Sequence, residues 1–191
     1  MIKLYTRTGD EGFTNLLGGA RTRKDDPRVE ALGGLDELNS TIGWTLAQAR
    51  AVGHVVITSS LEPIQPELFI LGARVAGLGT NRAPRDLPLE SIARMEQDID
   101  TIWADLTPLK SFILPGGSEL ACRLHLARAE ARRAERAVVH LLNPREATLL
   151  HDPIAVKYLN RLNDLLFALA RLANRDAGEP EILWQGHAQE R

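Results

Sequence analysis

The sequence predicts an all-α protein, a five-helix antiparallel bundle, and three observations carry that expectation. Aromatic residues make up only 5% of the chain while Ala and Leu abound, a balance that favours helices. Between Ser118 and Leu142, the apolar residues Leu124, Ala127, Ala131, Ala134, Val138 and Leu141 recur at alternating intervals of 3 and 4, the pattern of a helix buried along one narrow seam. Asp26-Pro27 and Asp152-Pro153 each place a capping side chain before a proline, the signal of a helix start.

In chain order, Ile2 to Tyr5 reads as a short strand, too brief to found a sheet. A long Gly-rich, basic loop follows to Lys24. The first helix then starts at Asp26-Pro27 and runs to about residue 51, its face drawn by Val29, Leu32, Leu35, Leu38, Ile42, Leu46 and Ala49. Gly53 to Ser60 reads as a linker. Ile64, Leu68, Leu71, Val75 and Leu78 predict a second helix in spite of Pro63 and Pro66 near its start. After a polar connection from Thr80 to Leu87, Pro88 opens a third, with Leu89, Ile92, Met95, Ile99, Ile102 and Leu106 on its face and Pro108 at its end. The Ser118–Leu142 helix is the fourth and closes at Asn143-Pro144. The fifth buries Leu159, Leu162, Leu166, Leu169 and Ala173, and Gly178 with Pro180 stops it. The 191 residues suit one domain: an N-terminal loop over about 1–25, a bundle over about 26–177 and a short tail over 178–191.

A net charge of -2, from 23 basic and 25 acidic side chains, supplies no global field toward nucleic acid or an anionic membrane. No apolar run reaches the roughly 18 residues needed to span a bilayer, and no signal-peptide core is present, so a cytoplasmic protein is expected. The single cysteine, Cys122, excludes an intrachain disulfide and lies beside the seam, where packing is its expected role. The histidines show no metal-ligand spacing, and no metal site is expected from them. Neither a Gly-x-Ser-x-Gly elbow nor a Cys–His pairing suggests covalent catalysis.

Chemistry concentrates in four places. In the N-terminal loop, Thr6, Thr8 and Thr14 offer hydroxyls, Gly9 and Gly12 let backbone amides converge, and Arg7, Arg21, Arg23 and Lys24 supply positive charge, the parts of a phosphate cradle without Walker A spacing. On the fourth helix a second stripe of His125, Arg128, Arg132 and Glu135 lies beside the seam, with Arg133 and Arg136 extending it. Two guanidiniums four residues apart can grip a carboxylate or phosphate. Asn160, Asp164, Phe167 and Arg171 form a similar stripe on the fifth helix. Asp36, between Leu35 and Leu38, reads as a buried-side carboxylate for which Arg128 is the obvious partner. Three of these have a structural alternative: a solvated loop, surface salt bridges on the arginine helix and a locally paired Asp36; His125 is expected to pack or hydrogen-bond, and Phe112, an aromatic just ahead of the fourth helix, reads on its own as core.

Five segments in order, Tyr5–Thr14, Ala31–Ser40, Phe112–Ser118, His125–Arg136 and Leu159–Arg171, resemble the PduO-type ATP:cob(I)alamin adenosyltransferases. The resemblance runs from about Lys3 to Asn174. It implies a five-helix bundle that forms a homotrimer with ATP held between neighbouring subunits. It further implies transfer of the 5′-deoxyadenosyl group of MgATP to the cobalt of reduced cob(I)alamin, giving adenosylcobalamin and triphosphate. ATP and Mg²⁺ are thus implied, with cobalamin as the corrinoid substrate, a reductase as electron source and an adenosylcobalamin-dependent enzyme as consumer.

Carried onto this sequence, the resemblance assigns Thr6, Arg7, Thr8, Gly9, Thr14, Asn15 and Lys24 to ATP from one subunit, and Arg132, Arg133, Glu135, Arg136 and Asn160 to ATP from the next. Asp36 and Arg128 match a pair across the subunit interface near the corrinoid, and Phe112 matches the aromatic beneath it. Such a ring displaces the lower ligand of Co(II) and eases its reduction. Co(I) is itself the nucleophile, so the protein has only to align it with the ribose and stabilise the leaving triphosphate. Asn163 departs from the family's usual serine, and altered hydrogen bonding is expected there. Residues 53–87 and the tail after Gly178 match no motif. The rival expectation from another class is a non-catalytic helical-bundle nucleotide sensor or scaffold; nucleic-acid binding through the Arg-rich helix is disfavoured by the charge.

Overall fold

The computed structural model describes residues 5, 7–17, 19, 21–78, 87, 89–142 and 153–185. Six helices follow one small hairpin: β1 (Phe13–Asn15), β2 (Arg21–Arg23), α1 (Pro27–Ala51), α2 (Val55–Leu61), α3 (Ile64–Gly77), α4 (Leu89–Ala104), α5 (Glu119–Leu141) and α6 (Pro153–Ala177). The five long helices are those expected. Two expectations are corrected. The linker over 53–60 is in part the short helix α2, whose seven residues are too few to display a period and whose N-cap is His54, accepting from the Ile57 amide. The N-terminal loop is in part an antiparallel hairpin, with Thr14 opposite Thr22 and Asn15 opposite Arg21. The expected strand over 2–5 lies outside the described residues except for Tyr5, as do the connection over 80–86, Pro88, Asn143-Pro144 and Asp152.

Local signals explain the long helices. Asp26 accepts from the Arg28 amide ahead of Pro27, and Ser118 accepts from the Ala121 amide, so both starts satisfy otherwise orphaned donors. Pro66 sits in the first turn of α3, where its missing N–H has no carbonyl to reach. All six seam residues of α5 are buried. The seam packs on α1 so closely that a Cβ on Gly34 would stand 3.3 Å from the Ala134 Cα. Small residues set this distance.

Helix directions follow from side-chain pairings. Arg123 reaches Trp44 while Gly34 meets Ala134, so α1 and α5 are antiparallel. Asn174 reaches Ser118 while Asn163 reaches Glu135, so α5 and α6 are antiparallel too. By contrast, Arg161 meets Glu96 and Arg175 meets Asp105, so α4 runs parallel to α6. The bundle is therefore not antiparallel throughout. The cause is connectivity: α4 packs on α6, the helix after next in the chain, and in an up-and-down chain two such helices run the same way.

One buried carboxylate ties α3, α4 and α6 together. Glu67 accepts from the Tyr158 hydroxyl at 2.8 Å, from Ser91 at 2.8 Å and from both terminal nitrogens of Arg94 at 2.9 and 3.1 Å. Burial, with the Glu67 charge next, pushes the Tyr158 phenol well above its ordinary value, so it stays a donor. No described helix is long and apolar enough to cross a membrane.

Candidate active site

The loop from Asp105 to Ser118 and helices α5 and α6 enclose a cleft of about 790 Å³. Arg128, Arg132, Asn163, Asp164 and Phe167 form its floor, and Leu109, Ser111, Phe112, Ile113 and Trp184 form its wall. Phe112 is 79% exposed, so the core alternative for this residue does not hold. Its ring meets Trp184 edge to face, with centroids 6.5 Å apart.

The wall is held from three sides. Asn174 on α6 donates to the Gly116 carbonyl and accepts from the Ser118 amide, each at 2.9 Å, while any Cβ on Gly117, at φ 106°, would collide with Asn174. Arg171 donates to the Thr107 carbonyl at 2.7 Å. The segment after α6 pairs with the Phe112 backbone: the Trp184 amide donates to the Phe112 carbonyl and the Leu114 amide to the Ile182 carbonyl, both at 2.8 Å. That segment belongs to the stretch that matched no motif. Its short apolar run Ile182-Leu-Trp184 is a weak strand-like signal that does not name a pairing partner.

The electrostatics of the floor are unbalanced. The Arg128 guanidinium lies over the Phe167 ring at 5.9 Å, and its Nε is buried without a hydrogen-bond partner among the described residues. Burial first, and repulsion from Arg132 second, depress its pKa below the usual arginine range. His125, beside it, is buried, and both its ring nitrogens lack a partner among the described residues. Burial and Arg128 hold its pKa down to about 4 against an opposing pull from Glu181, so the ring is neutral near pH 7. His125 thus leaves the charged stripe for the core, as a packing residue. Glu135 accepts from Asn163 at 2.9 Å and from Asn160 at 3.5 Å, which joins the polar stripes of α5 and α6. Asn163 also donates to the Leu159 carbonyl at 3.0 Å, a bond typical of a side chain turned back on its own helix.

Not every residue expected in the stripe points there. Arg133 turns to α1, pairing with Glu37 and, at 3.1 Å, with Glu130; at 100° per residue it lies round the helix from Arg132. Arg136 donates back to the Arg132 carbonyl at 3.1 Å. Cys122 is exposed, against the packing role expected of it, because it sits one position past the buried Ala121. Asp36 is exposed as well and meets no Arg128 within the chain. It borders an apolar groove between α1 and α3 lined by Leu17, Leu32, Leu35, Leu68 and Phe69.

The hairpin gathers the loop residues. Lys24 donates its amide to Gly12 at 2.8 Å, and a Cβ on Gly9 would stand 3.4 Å from the Lys24 ammonium, so the missing side chain leaves space for that cation. Arg21 reaches the Thr8 carbonyl at 3.2 Å. Arg7 has φ 62°, uncommon for a residue other than glycine and a frequent mark of functional loops. Thr14 and Asn15 lie on β1. Thr6 lies outside the described residues. None of the described loop residues lines the cleft between α5 and α6.

Comparison with known proteins gives a consistent answer. The family described as cobalamin adenosyltransferase matches residues 4–173. A corrinoid adenosyltransferase of Bacillus subtilis is 45% identical over 98% of this chain and 94% of its own length. The corrinoid adenosyltransferase PduO of Citrobacter freundii is also 45% identical, but this chain spans only 53% of it. Among solved structures, a variant PduO-type ATP:corrinoid adenosyltransferase from Lactobacillus reuteri, complexed with cobalamin and ATP, superposes with a TM-score of 0.88 at 36% identity, covering 96% of this chain and 100% of that one. A second variant of that enzyme, complexed with ATP, gives a TM-score of 0.86. With the family match over most of its length and the shared fold, the chain belongs to the cobalamin adenosyltransferase family.

Proposed function

We propose that the chain transfers the 5′-deoxyadenosyl group of MgATP to the cobalt of reduced cob(I)alamin, releasing triphosphate. The observation that carries this reading is the cleft, where an exposed aromatic ring, Phe112, on a largely apolar wall faces two arginines, Arg128 and Arg132, on a polar floor. The corrinoid supplies the nucleophile, and the chain's residues align and stabilise. Phe112 presses on the lower face of the macrocycle and excludes water from it. Arg132 faces the triphosphate as negative charge develops on the leaving oxygen, and Glu135 orients Asn160 and Asn163 beside it. No group of three or more His, Cys, Asp and Glu among the described residues could cage a metal, which suits Mg²⁺ entering on the phosphates of ATP.

The reading includes a homotrimer. The N-terminal loop and hairpin carry the described residues of one set assigned to ATP, and α5 and α6 carry the other, of which Arg132 lines the cleft; the hairpin does not line the cleft of its own chain. Asp36 and Arg128 are likewise apart. A neighbouring subunit that lays its hairpin and Asp36 against α5 would join both pairs. The exposed free thiol of Cys122 suits a reducing cytoplasm.

The anaerobic turnover assay tests the chemistry. Purified protein, MgATP and a chemically reduced corrinoid should yield a light-sensitive carbon–cobalt bond; ATP binding without product would leave the nucleotide-sensor reading instead. Mass measurement in solution should give three times the chain mass. Phe112→Ala should keep ATP affinity and lose roughly a hundredfold in turnover that starts from Co(II).

A further inference from the structure

Phe112 poses a positional problem. With 79% of its surface exposed, the ring gains little restraint from the core, so its place must be fixed through its backbone. The bonds that fix it come from one segment: the Trp184 amide to the Phe112 carbonyl, the Leu114 amide to the Ile182 carbonyl, and the Ser111 hydroxyl to the Trp184 carbonyl at 3.2 Å. A segment that leaves α6 through Gly178 at φ 68° and exposes Ile182, Leu183 and Trp184 has little packing of its own. Its anchor is Glu181. Arg171 donates to that carboxylate from Nε at 2.6 Å and from Nη2 at 3.1 Å, and the Arg171 side chain is only 2% exposed.

Arg171 is held as firmly as it holds. Its guanidinium lies over the Trp103 ring at 4.8 Å and donates to the Thr107 carbonyl at 2.7 Å, so one side chain joins α4, α6, the start of the cleft wall and the segment behind it. A buried ion pair adds little net stability over apolar residues of the same size, whereas a two-point guanidinium–carboxylate contact fixes orientation as well as distance. We propose that the Arg171–Glu181 pair is a positioning device for Phe112: it clasps the 181–184 segment, and that segment's backbone sets the height of the ring in the cleft. The inference rests on the adenosyltransferase reading, in which the placement of that ring governs the Co(II) step.

The test uses the full chain carrying Glu181→Gln, beside the wild type and Phe112→Ala. Amide exchange at Leu114 and Trp184 should speed up by about tenfold while exchange in the α5 seam does not change. Turnover from Co(II) corrinoid should fall roughly tenfold, turnover from pre-reduced Co(I) by less than about threefold, and KM for ATP should hold within about twofold. Faster exchange with undiminished Co(II) turnover overturns the proposal, as does a parallel loss of both rates with a raised KM for ATP, which marks a role in the fold alone. If Glu181→Gln loses its helical circular dichroism, Trp184→Pro decides instead, since it deletes the amide that bonds Phe112 from an exposed position. The same split of rates supports the proposal, and undiminished Co(II) turnover overturns it. A wild type that makes no adenosylated corrinoid would instead sink the functional reading, with the exchange data still reporting the clasp.

Discussion

The two flanks of α5 are built to opposite rules. Toward α1 the helix is closed: its Ala seam is fully buried, Gly34 and Ala134 bring the backbones together, and Arg133 finds Glu37 and Glu130. Toward the cleft it is left incomplete: the Arg128 Nε, both nitrogens of His125 and the Asn163 Oδ1 have no partner among the described residues. Buried polar atoms without partners cost about 1–3 kcal/mol each in a fold whose whole margin is roughly 5–15 kcal/mol. Packing holds the helix on both sides, and the flank toward the cleft adds unsatisfied groups that a ligand can complete.

The comparison can be broken by substitution on either side. Arg132→Ala, on the open flank, should lower kcat by about 10²–10³ while the thermal midpoint moves by less than about 2 °C, because the side chain is exposed and supports no packing. A midpoint loss as large as that of a seam variant would erase the distinction. Steady-state kinetics with a melting curve provide both numbers.

Acid should act through the same flank. His125 titrates near 6.5 once unfolded but is held down to about 4 in the fold. Between those values the unfolded chain binds a proton that the folded chain refuses, so stability is full above the upper value and falls as pH drops through the window. The loss amounts to roughly 3 kcal/mol. Urea unfolding at pH 7 and pH 4.5 should show it, and His125→Leu should flatten that part of the profile. A slope unchanged by the substitution would reassign the acid sensitivity to other groups.

On the closed flank, Ala134→Leu should cost about 1–3 kcal/mol through overpacking against Gly34, with the specific activity of the folded fraction kept near wild type. The smallest effect is expected at Asn163→Ser. The shorter side chain loses its bond to Glu135, and kcat/KM for ATP should fall by about threefold, mostly through a raised KM. A hundredfold loss would promote Asn163 to a central role.

How legible this was depended on the range of the interaction involved. Helix faces and caps rest on neighbours three or four residues apart, and the buried seam of α5 and the Asp26 cap could be read directly. Helix α2 could not, since seven residues do not complete a repeat. Arg132 and Arg133 look alike in sequence, and only the angle between successive side chains sends one to the cleft and one to α1. Asp36 beside two buried leucines read as a buried carboxylate, yet it stands on the exposed edge of that face. The backing of Phe112 by Trp184 was invisible because no local pattern encodes a pairing between distant segments. Glu67 was missed for the same reason, its partners being spread over α4 and α6.

That long-range pairing also bears on the order of assembly. Ser111 and Trp184 are 73 residues apart, so a ribosome has finished α5 and α6 before the strand that backs Phe112 is made. Closing a loop of that length carries an entropic cost that nearby helix contacts do not, and it is met only after α5 and α6 have docked. Docking of α5 on α6 shortens that closure, so the wall that backs Phe112 is set by helices already in contact and inherits its height in the cleft from them.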